Sequence, residues 1–499
     1  MMLRSLGVLL PLMIAGACSS TTDNTGGASG GAAGAGGTGG MAGAAGGGGS
    51  SGADASSGGS SGADAGSDAA DAAPDPPTLT EVQVIAGGSG HFVTDVSIHP
   101  GSGHVFVLGY GSTSPGYESF IAELKPGQPA ELPRRHFTST DQAYAQGLVV
   151  GGNGALYLSG FFVKDLKIGS KTFAEPAGFG GVVARLLPSS GSDTVEGFTM
   201  LGAANQAFHG NAALGSGSVS VGFANVGATL HQQTVTTDVD GDGVISADFD
   251  GQPVGKHAVF GGAGTQRFYE VATDATPTIY AVGESAAFGP PLQVLGKGTL
   301  QLATLVAYDS TLKLLWARAL GSASNDAFLD VAAGASGKQI VAVGYAKGQV
   351  DLGTGAPLPN AGAEDLLVAQ FDGSGKLTWA RTFGGAADDR AYSVAVHSTG
   401  DVFVSGSIKS ASIDFGSGKL AKQGAEDGFI LRLDSSGNVR FATLFGGAGT
   451  DFIGGLTASD DRVVAVGKFV GKLDFLGKPI APVSTNPGFF DFAVLTLKP

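Results

Sequence analysis

Residues 379–434 read WARTFGGAADDRAYSVAVHSTGDVFVSGSIKSASIDFGSGKLAKQGAEDGFILRLD, and this stretch decides the fold. Within it, residues 401–407 (DVFVSGS) and 428–434 (GFILRLD) alternate in the period-2 pattern of a strand with one buried face. The segment DSSGN at 434–438 follows, and Gly and Asn tolerate the positive φ that hairpin turns need. The stretch therefore predicts consecutive antiparallel strands.

Copies of this stretch, some similar in sequence and others more diverged, recur from about residue 80 to the end of the chain. Each copy has an apolar residue at the end of one strand and a Gly near the end of a later strand. Their separations run from 21 residues (Leu201 to Gly222) to 24 residues (Ile85 to Gly109), which indicates a repeat architecture. The seven pairs are Ile85 and Gly109, Phe137 and Gly160, Leu201 and Gly222, Phe260 and Gly283, Leu320 and Gly344, Phe383 and Gly406, and Phe445 and Gly467.

The two ends of the repeat region predict how the copies are arranged. Residues 492–499 (FAVLTLKP) match the third strand of a unit, so the last unit lacks its fourth strand. Residues 80–88 (TEVQVIAGG) match a fourth strand, and we expect residues 81–86 to complete the last unit. Such pairing closes a ring and protects the sheet edges. The predicted fold is all-β, a seven-bladed β-propeller over residues 78–499 that is closed by an N-terminal strand.

Part of the repeat resembles a known family. Residues 383–407 (FGGAADDRAYSVAVHSTGDVFVSGS), 412–420 (SIDFGSGKL) and 426–439 (EDGFILRLDSSGNV) are similar to the SBBP-type (seven-bladed β-propeller) repeat of bacterial secreted and surface proteins. The last three units match this pattern well, and the first four units have diverged from it. The resemblance implies the fold and leaves the activity open, because propellers host many unrelated functions.

The first residues of the chain predict where the protein is located in the cell. Residues 1–17 have Arg4, an apolar run at 6–14 and a small-residue end, which is typical of a secretory signal peptide. The sequence AGAC at 15–18 resembles a bacterial lipobox, which implies that Cys18 is lipid-modified and anchors the chain in a membrane. Ordinary cleavage with an incidental Cys18 is the alternative. Because Ser19 is not Asp, the resemblance implies the bacterial outer membrane, at its periplasmic or its cell-surface face.

Residues 18–77 form a segment of Gly, Ala, Ser and Thr with scattered Asp. Such a segment buries too little apolar surface to offset its chain entropy, so we predict a disordered tether. The net charge of the chain is −15, which argues against nucleic acid as a partner because nucleic acid rewards clustered positive charge. An envelope protein or a glycan is the predicted partner.

An Asp-rich motif lies at residues 238–246 (DVDGDGVIS). Asp238, Asp240 and Asp242 hold positions 1, 3 and 5 of an oxygen-rich turn of the kind that binds Ca²⁺. The carbonyl of Val244 and the side chains of Ser246 and Asp248 are predicted to complete the ligand set. Position 12 holds Phe249 where EF-hand loops have an acid, so a solvated acidic turn is the alternative reading.

A second candidate site is defined by repeat position. His91, Asp326, Asp389 and Asp451 each stand six residues after the apolar landmark, where the innermost strand of a unit begins. In a closed ring their units are adjacent, so these side chains could converge at one channel mouth as a catalytic or metal cluster. The alternative is that an Asp at this turn accepts backbone N–H bonds and holds the blades in register.

Three functions remain open at the level of sequence. The first is a lipid-anchored binding or scaffolding module at the cell envelope, with an unknown ligand. The second is an extracytoplasmic hydrolase or lyase with its site at the channel mouth. The third is a stalked surface-layer component without a discrete ligand.

The Ca²⁺ site has a direct test. We expect millimolar Ca²⁺ to raise the melting temperature of the chain and EDTA to lower it, because a ligand that binds only the folded state stabilises that state. Thermal unfolding followed by circular dichroism measures this, with Mg²⁺ at equal ionic strength as the control. A melting temperature that neither Ca²⁺ nor EDTA changes would rule out the site.

Overall fold

The computed structural model describes residues 76–87, 92–113, 116–128, 135–187, 194–202, 205–237, 241–248, 255–286, 291–353, 356–484, 486 and 489–499. The chain divides into two units, Met1–Ala73 and Pro74–Pro499, and all described residues belong to the second. The predicted signal peptide, Cys18 and the tether up to residue 75 therefore lie outside the described residues. His91, Asp238 and Asp240 lie outside them as well.

The elements of the described residues are β-strands. In chain order they are β1 Thr78–Ile85, β2 Phe92–Ile98, β3 Val105–Thr113, β4 Gly116–Leu124, β5 Arg135–Ser139, β6 Ala143–Val150, β7 Leu156–Ile168, β8 Lys171–Leu187, β9 Thr194–Met200, β10 Ala207–Leu214, β11 Gly217–Ala224, β12 Thr229–Leu230, β13 Gln233–Thr234, β14 Asp242–Asp248, β15 Lys256–Phe260, β16 Gln266–Thr273, β17 Ile279–Ser285 and β18 Leu292–Leu295. They continue with β19 Leu302–Tyr308, β20 Leu314–Leu320, β21 Ala327–Ala333, β22 Ile340–Ala346, β23 Asp365–Phe371, β24 Leu377–Phe383, β25 Asp389–Val396, β26 Val402–Ile408, β27 Ser412–Asp414, β28 Lys419–Ala421, β29 Asp427–Leu433, β30 Val439–Phe445, β31 Phe452–Ser459, β32 Arg462–Phe469, β33 Leu473–Phe475, β34 Lys478–Ile480 and β35 Asp491–Lys498.

Seven four-stranded antiparallel units carry the fold in the described part of the chain. In order they are β2-β3-β4-β5, β6-β7-β8-β9, β10-β11-β14-β15, β16-β17-β19-β20, β21-β22-β23-β24, β25-β26-β29-β30 and β31-β32-β35-β1. The first two units merge into one eight-stranded sheet because the long strand β7 also pairs with β5, which places Phe137 opposite Ile168.

The two ends of the repeat region meet in the seventh unit. Strand β1 pairs antiparallel with β35, with Glu81 opposite Thr496 and Val84 opposite Ala493. The pairing expected from the sequence is therefore present. The first strand of each unit contacts the first strands of its two neighbours, and this series closes from β31 back to β2. The described residues thus form an all-β, propeller-like circle of repeats.

Each first strand carries a β-bulge opposite the landmark glycine of the second strand. The register shifts between Phe268 and Glu270 in β16, and equivalent shifts occur in the other six first strands. A Cβ atom on Gly283 would lie 1.8 Å from the carbonyl oxygen of Arg267, and one on Gly344 would lie 2.0 Å from that of Ala327. Glycine recurs at this position because the bulge brings a neighbouring backbone into the space of a side chain.

The apolar core is distributed over the interfaces between units. One buried cluster joins Val343 and Val368 of the fifth unit to Val404 and Leu431 of the sixth. The indole of Trp379 in the fifth unit donates a hydrogen bond to the carbonyl of Ser435 in the sixth at 3.0 Å. Stacking of neighbours therefore buries faces that a single unit would leave exposed. Within the described ranges, no helix has the length and apolar character that a membrane crossing requires.

Candidate functional site on the ring axis

Aromatic and charged side chains form a circle at the end of the axis where the first strands begin. We call this circle the mouth. Its direct contacts join neighbouring units at six of the seven junctions. The pairs are Lys468 with Phe92, Tyr110 with Tyr144, Gln146 with His209, Phe223 with Arg267, Tyr345 with Arg390, and Tyr392 with Phe452. At the remaining junction, between the fourth unit and the fifth, the positive charge of Lys347 acts on Glu284 without a direct contact.

Burial at the mouth changes the protonation of its members. Lys468 is 3% exposed, with its Nζ 3.6 Å from the ring centroid of Phe490 and 4.7 Å from that of Phe92. This burial lowers the pKa of Lys468 to about 8. Burial also lowers the pKa of His209 to about 3, with a further contribution from Arg267, so His209 is neutral at physiological pH. The mouth is therefore a packed set of aromatic and ionic contacts.

A cavity lies on the axis beyond the bulges, among the second halves of the first strands. This axial cavity has a volume of about 390 Å³ and takes its lining from all seven first strands. Small-molecule sites in proteins span roughly 300–1,000 Å³ and combine apolar walls with a few polar groups. Alanine and valine side chains such as Ala213, Ala272 and Val396 supply apolar wall, and Thr94, Asn211 and Asp330 are among its polar members. The axial cavity therefore has a volume within the range of ligand sites.

Three carboxylates stand in the lining of the axial cavity, each directly after a bulge. Asp95 accepts the backbone N–H of Leu148 in the second unit at 2.7 Å. Asp330 accepts the N–H of Val394 in the sixth unit at 2.8 Å and the hydroxyl of Ser393 at 2.7 Å. Glu270 accepts the N–H of Val271 in its own strand at 3.0 Å. Asp95 and Asp330 therefore fasten neighbouring units together at the axis.

The same three carboxylates hold protons at unusually high pH. Burial raises the pKa of Asp95 to about 7, with a smaller contribution from the charge of Asp330. Burial raises the pKa of Asp330 to about 6. The pKa of Glu270 is raised well above its usual value, first by burial and then by the charges of Asp330 and Asp95. Because the three groups interact, they titrate as one set.

Sequence position carried a signal for these carboxylates that residue-type motifs missed. Asp95, Glu270 and Asp330 each stand ten residues after the apolar landmark of their unit, which is Ile85, Phe260 or Leu320. The same position holds Asn211 and Ser393 in the third and sixth units. A repeat position that is polar in five of seven units indicates a shared structural role, and Asp95, Asp330 and Ser393 accept backbone N–H bonds from the neighbouring unit there.

The predicted mouth carboxylates are engaged by the backbone of their own units. Asp389 accepts N–H bonds from Gly385 at 2.8 Å and from Lys409 and Ser410 at 3.0 Å. Asp326 accepts the N–H of Lys347, and Asp451 accepts those of Gly447 and Val470, all at 2.8 Å. The structure thus places all three at the start of their first strands, as expected. These carboxylates accept backbone N–H bonds, which was the alternative to a catalytic or metal cluster. Each bond lies within one unit or its entry loop, so it does not join successive units.

The Asp-rich motif runs into a buried strand. Asp242, Val244, Ser246 and Asp248 alternate along β14, which pairs with β11 on one side and β15 on the other. Asp238 and Asp240 lie outside the described residues, so the Ca²⁺ site stays a prediction. Where the chain is described, no three His, Cys, Asp or Glu side chains are placed to hold a metal ion.

A buried histidine contacts two of these residues, and the sequence did not reveal it. His231 has a positive φ of 54° in the β12–β13 turn, and its Nε2 lies 3.0 Å from Ser246 Oγ and 2.9 Å from Asp248 Oδ1. The residue types are those of a nucleophilic triad, which needs the serine on one ring nitrogen and the carboxylate on the other. Here both partners face the same nitrogen and all three side chains are buried, so the cluster is a packing and hydrogen-bonding feature of the third unit.

The fold and axis define an all-β repeat protein with a propeller-like circle of four-stranded units. No protein-family model matches the chain, so its likeness to the SBBP repeat stays a prediction. A curated relative is the regulatory protein FlaEY of Caulobacter vibrioides, with 27% identity over 174 residues. That alignment covers 34% of this chain and 18% of FlaEY, so this chain spans a small part of that relative.

Two solved structures are similar in architecture. One is Chaetomium thermophilum Sqt1 bound to the N-terminus of ribosomal protein L10, with a TM-score of 0.41, 12% identity and coverage of 84% of this chain and 100% of that one. The other is the endosialidase of phage phi92, with a TM-score of 0.39, 9% identity and coverage of 84% and 69%. These similarities concern the fold and carry no information about function.

The backbone bonds of Asp389 predict a stability effect. Replacing Asp389 with Asn should lower the free energy of unfolding by about 1–3 kcal/mol, because an amide NH₂ group meets backbone donors that need an acceptor. Urea unfolding measures the loss, and the adjacent, partly exposed Asp388→Asn is the matched control. Equal stability of the two variants would contradict the backbone role of Asp389.

Proposed function

We propose that the chain is a lipid-anchored, seven-bladed β-propeller that acts as a binding module at the bacterial cell envelope, with the axial cavity as its ligand site. The observation that carries the proposal is the cavity of about 390 Å³ that all seven first strands line. A cavity on the axis draws a contribution from every repeat, so a ligand there contacts the whole circle. Concave sites with a few placed polar groups are the usual form of small-ligand binding sites.

The state of the predicted catalytic residues supports binding over catalysis. The hydrolase or lyase alternative depended on Asp326, Asp389 and Asp451 acting at the mouth. Their carboxylate oxygens already accept backbone N–H bonds, and all three side chains are fully buried. A general acid or base must reach the reacting group with a free position for its proton. These three residues are better suited to fixing the strand ends than to reaching a substrate.

The cellular setting of the proposal comes from the sequence. Cys18 in its lipobox-like context supports a lipid anchor, and Ser19 supports the outer membrane. A segment of Gly, Ala, Ser and Thr between the anchor and the repeats would let the ring reach ligands away from the membrane surface. An envelope glycan, peptide or small molecule is the proposed ligand pool, and Ca²⁺ at the Asp-rich motif is proposed to stiffen the third unit.

Blocking the axial cavity should abolish binding without unfolding the ring. Thr457 lines the cavity from β31, and the substitution Thr457→Trp fills space that a ligand would occupy. Thr172, which is exposed at the start of β8, offers the matched control Thr172→Trp. A thermal-shift screen of the full chain against amino acids, amines, oligosaccharides and peptidoglycan fragments should find a ligand that stabilises the wild type and Thr172→Trp. That ligand should have no effect on Thr457→Trp.

Two results would contradict this function. One is a ligand whose stabilising effect survives in Thr457→Trp, which would place its site away from the axis. The other is a complete screen in which the blocked variant and the wild type behave alike. Circular dichroism and the melting temperature of Thr457→Trp without ligand confirm that the variant is folded.

A further inference from the structure

One lysine at the mouth is buried among aromatic rings. Lys468 on β32 is 3% exposed, and in the described part of the chain no other Lys or Arg is buried to this degree. Its Nζ lies 3.6 Å from the ring centroid of Phe490, 4.7 Å from that of Phe92 and 5.1 Å from that of Phe452. Phe452 belongs to the seventh unit and Phe92 to the first, so the rings meet where the circle closes. We call Phe92, Phe452 and Phe490 the aromatic cage of Lys468.

The amine of Lys468 has no anion to pair with. Among the described residues, no carboxylate forms an ion pair with its Nζ and no oxygen accepts a hydrogen bond from it. Lys347, also at the mouth, pairs with Glu364 at 2.9 Å. The charges of Glu426 and Asp451 act on Lys468 only at longer range. A buried ammonium group without a partner loses hydration that nothing replaces, which favours the neutral amine.

The aromatic cage activates the amine of Lys468. Burial lowers the pKa of Lys468 to about 8. At pH 7 about a tenth of such an amine is neutral, against roughly one part in 2,500 for an ordinary lysine of pKa about 10.4. The neutral amine is the nucleophile, and desolvation in an apolar pocket is one way in which proteins activate lysine toward carbonyl compounds. Phe92 and Phe490 are only half-buried, so the cage borders solvent on their side.

We propose that Lys468 is a covalent capture site for small neutral aldehydes, which it binds as an imine at the mouth. Lys468 is not part of the lining of the axial cavity, so this site is separate from the proposed ligand site. The lone pair of the neutral Nζ attacks the carbonyl carbon and a C–N bond forms, while a proton passes through water from the nitrogen to the carbonyl oxygen. Loss of the resulting hydroxyl as water leaves a C=N bond. Amine and aldehyde thus give imine and water, without an oxidant or a reductant.

The surroundings of Lys468 select the charge of the carbonyl compound. A protonated imine is a cation, and the three rings face it as they face the ammonium group. The negative charges of Glu426 and Asp451, which raise the pKa of Lys468 against the effect of burial, would repel an anionic compound. We therefore expect a neutral aldehyde such as acetaldehyde to react in preference to an anionic one such as glyoxylate.

Reductive trapping of the full chain, followed by peptide mass spectrometry, tests the proposal. Limiting acetaldehyde with cyanoborohydride at pH 7 converts each imine into a stable N-ethyl lysine. Lys468 should be modified about tenfold faster or more than Lys376, which is exposed in the turn after β23, because more of its amine is neutral. The rate at Lys468 should rise with pH to a midpoint near 8. With glyoxylate, the preference for Lys468 over Lys376 should fall.

Three variants separate the effect of the cage from general amine reactivity. Phe490→Ala removes the nearest ring and admits water, so the midpoint at Lys468 should move from about 8 toward the ordinary lysine value. Phe489→Ala is the matched control, because this half-buried neighbour makes no described ring contact with Lys468, and it should keep the midpoint near 8. Thr457→Trp, which blocks the axial cavity, should also leave the labelling of Lys468 unchanged.

Several results would overturn this inference without touching the proposed function. They are labelling of Lys468 no faster than that of Lys376 at pH 7, a wild-type midpoint at the ordinary lysine value, and an equal shift in Phe489→Ala and Phe490→Ala. A preference of Lys468 for glyoxylate would reject the neutral class of aldehyde. Circular dichroism shows whether Phe490→Ala is folded, and the wild-type rates and midpoint test the proposal by themselves if it is not.

Discussion

The antiparallel pairing of β1 with β35 is the contact on which the circle depends. It joins residues about four hundred positions apart, so that Val82 lies opposite Leu495 and Ile85 opposite Phe492. Leu79 and Ile85 are 4% and 1% exposed, and they enter the two apolar clusters on either side of the seventh unit. Without β1, strand β35 would be an open sheet edge and two apolar clusters would lose a wall. The long stretch of chain between β1 and β35 must fold back on itself before the two strands can pair, which costs chain entropy. We therefore expect ring closure to be a late and slow step in folding.

The bulges connect the closed circle to the axial cavity. Each first strand approaches its neighbours near the axis. The extra residue of its β-bulge changes the direction of the side chain that follows. In three units that side chain is Asp95, Glu270 or Asp330. The same step explains the landmark glycines, because a bulge at Phe268 to Glu270 places a carbonyl where a side chain on Gly283 would stand. The β-bulge therefore accounts both for the glycine that recurs in each repeat and for the polar side chains near the axis.

The sequence predicted the fold better than the site, for a physical reason. Period-2 alternation, turn residues and the spacing from Phe383 to Gly406 depend on local geometry, which each repeat displays by itself. The role of Asp389 depends on backbone donors from its entry loop and from the end of β26, which a motif search does not weigh. The pairing of His231 with Asp248 depends on a turn with positive φ. In the sequence, Asp95, Glu270 and Asp330 share only a position in the repeat. Their location around one cavity follows only from the closed arrangement of the units.

Hydrogen exchange of the full chain, resolved by peptide mass spectrometry, tests ring closure most directly. Amide groups in a stable ladder exchange slowly, and those of an unpaired segment exchange at the rate of an open chain. If β1 closes the ring, the amides of residues 81–85 should be protected to the same degree as those of β35 across the same time course. Rapid exchange in 81–85 alongside persistent protection in β31 and β32 would contradict the closure of the circle by β1.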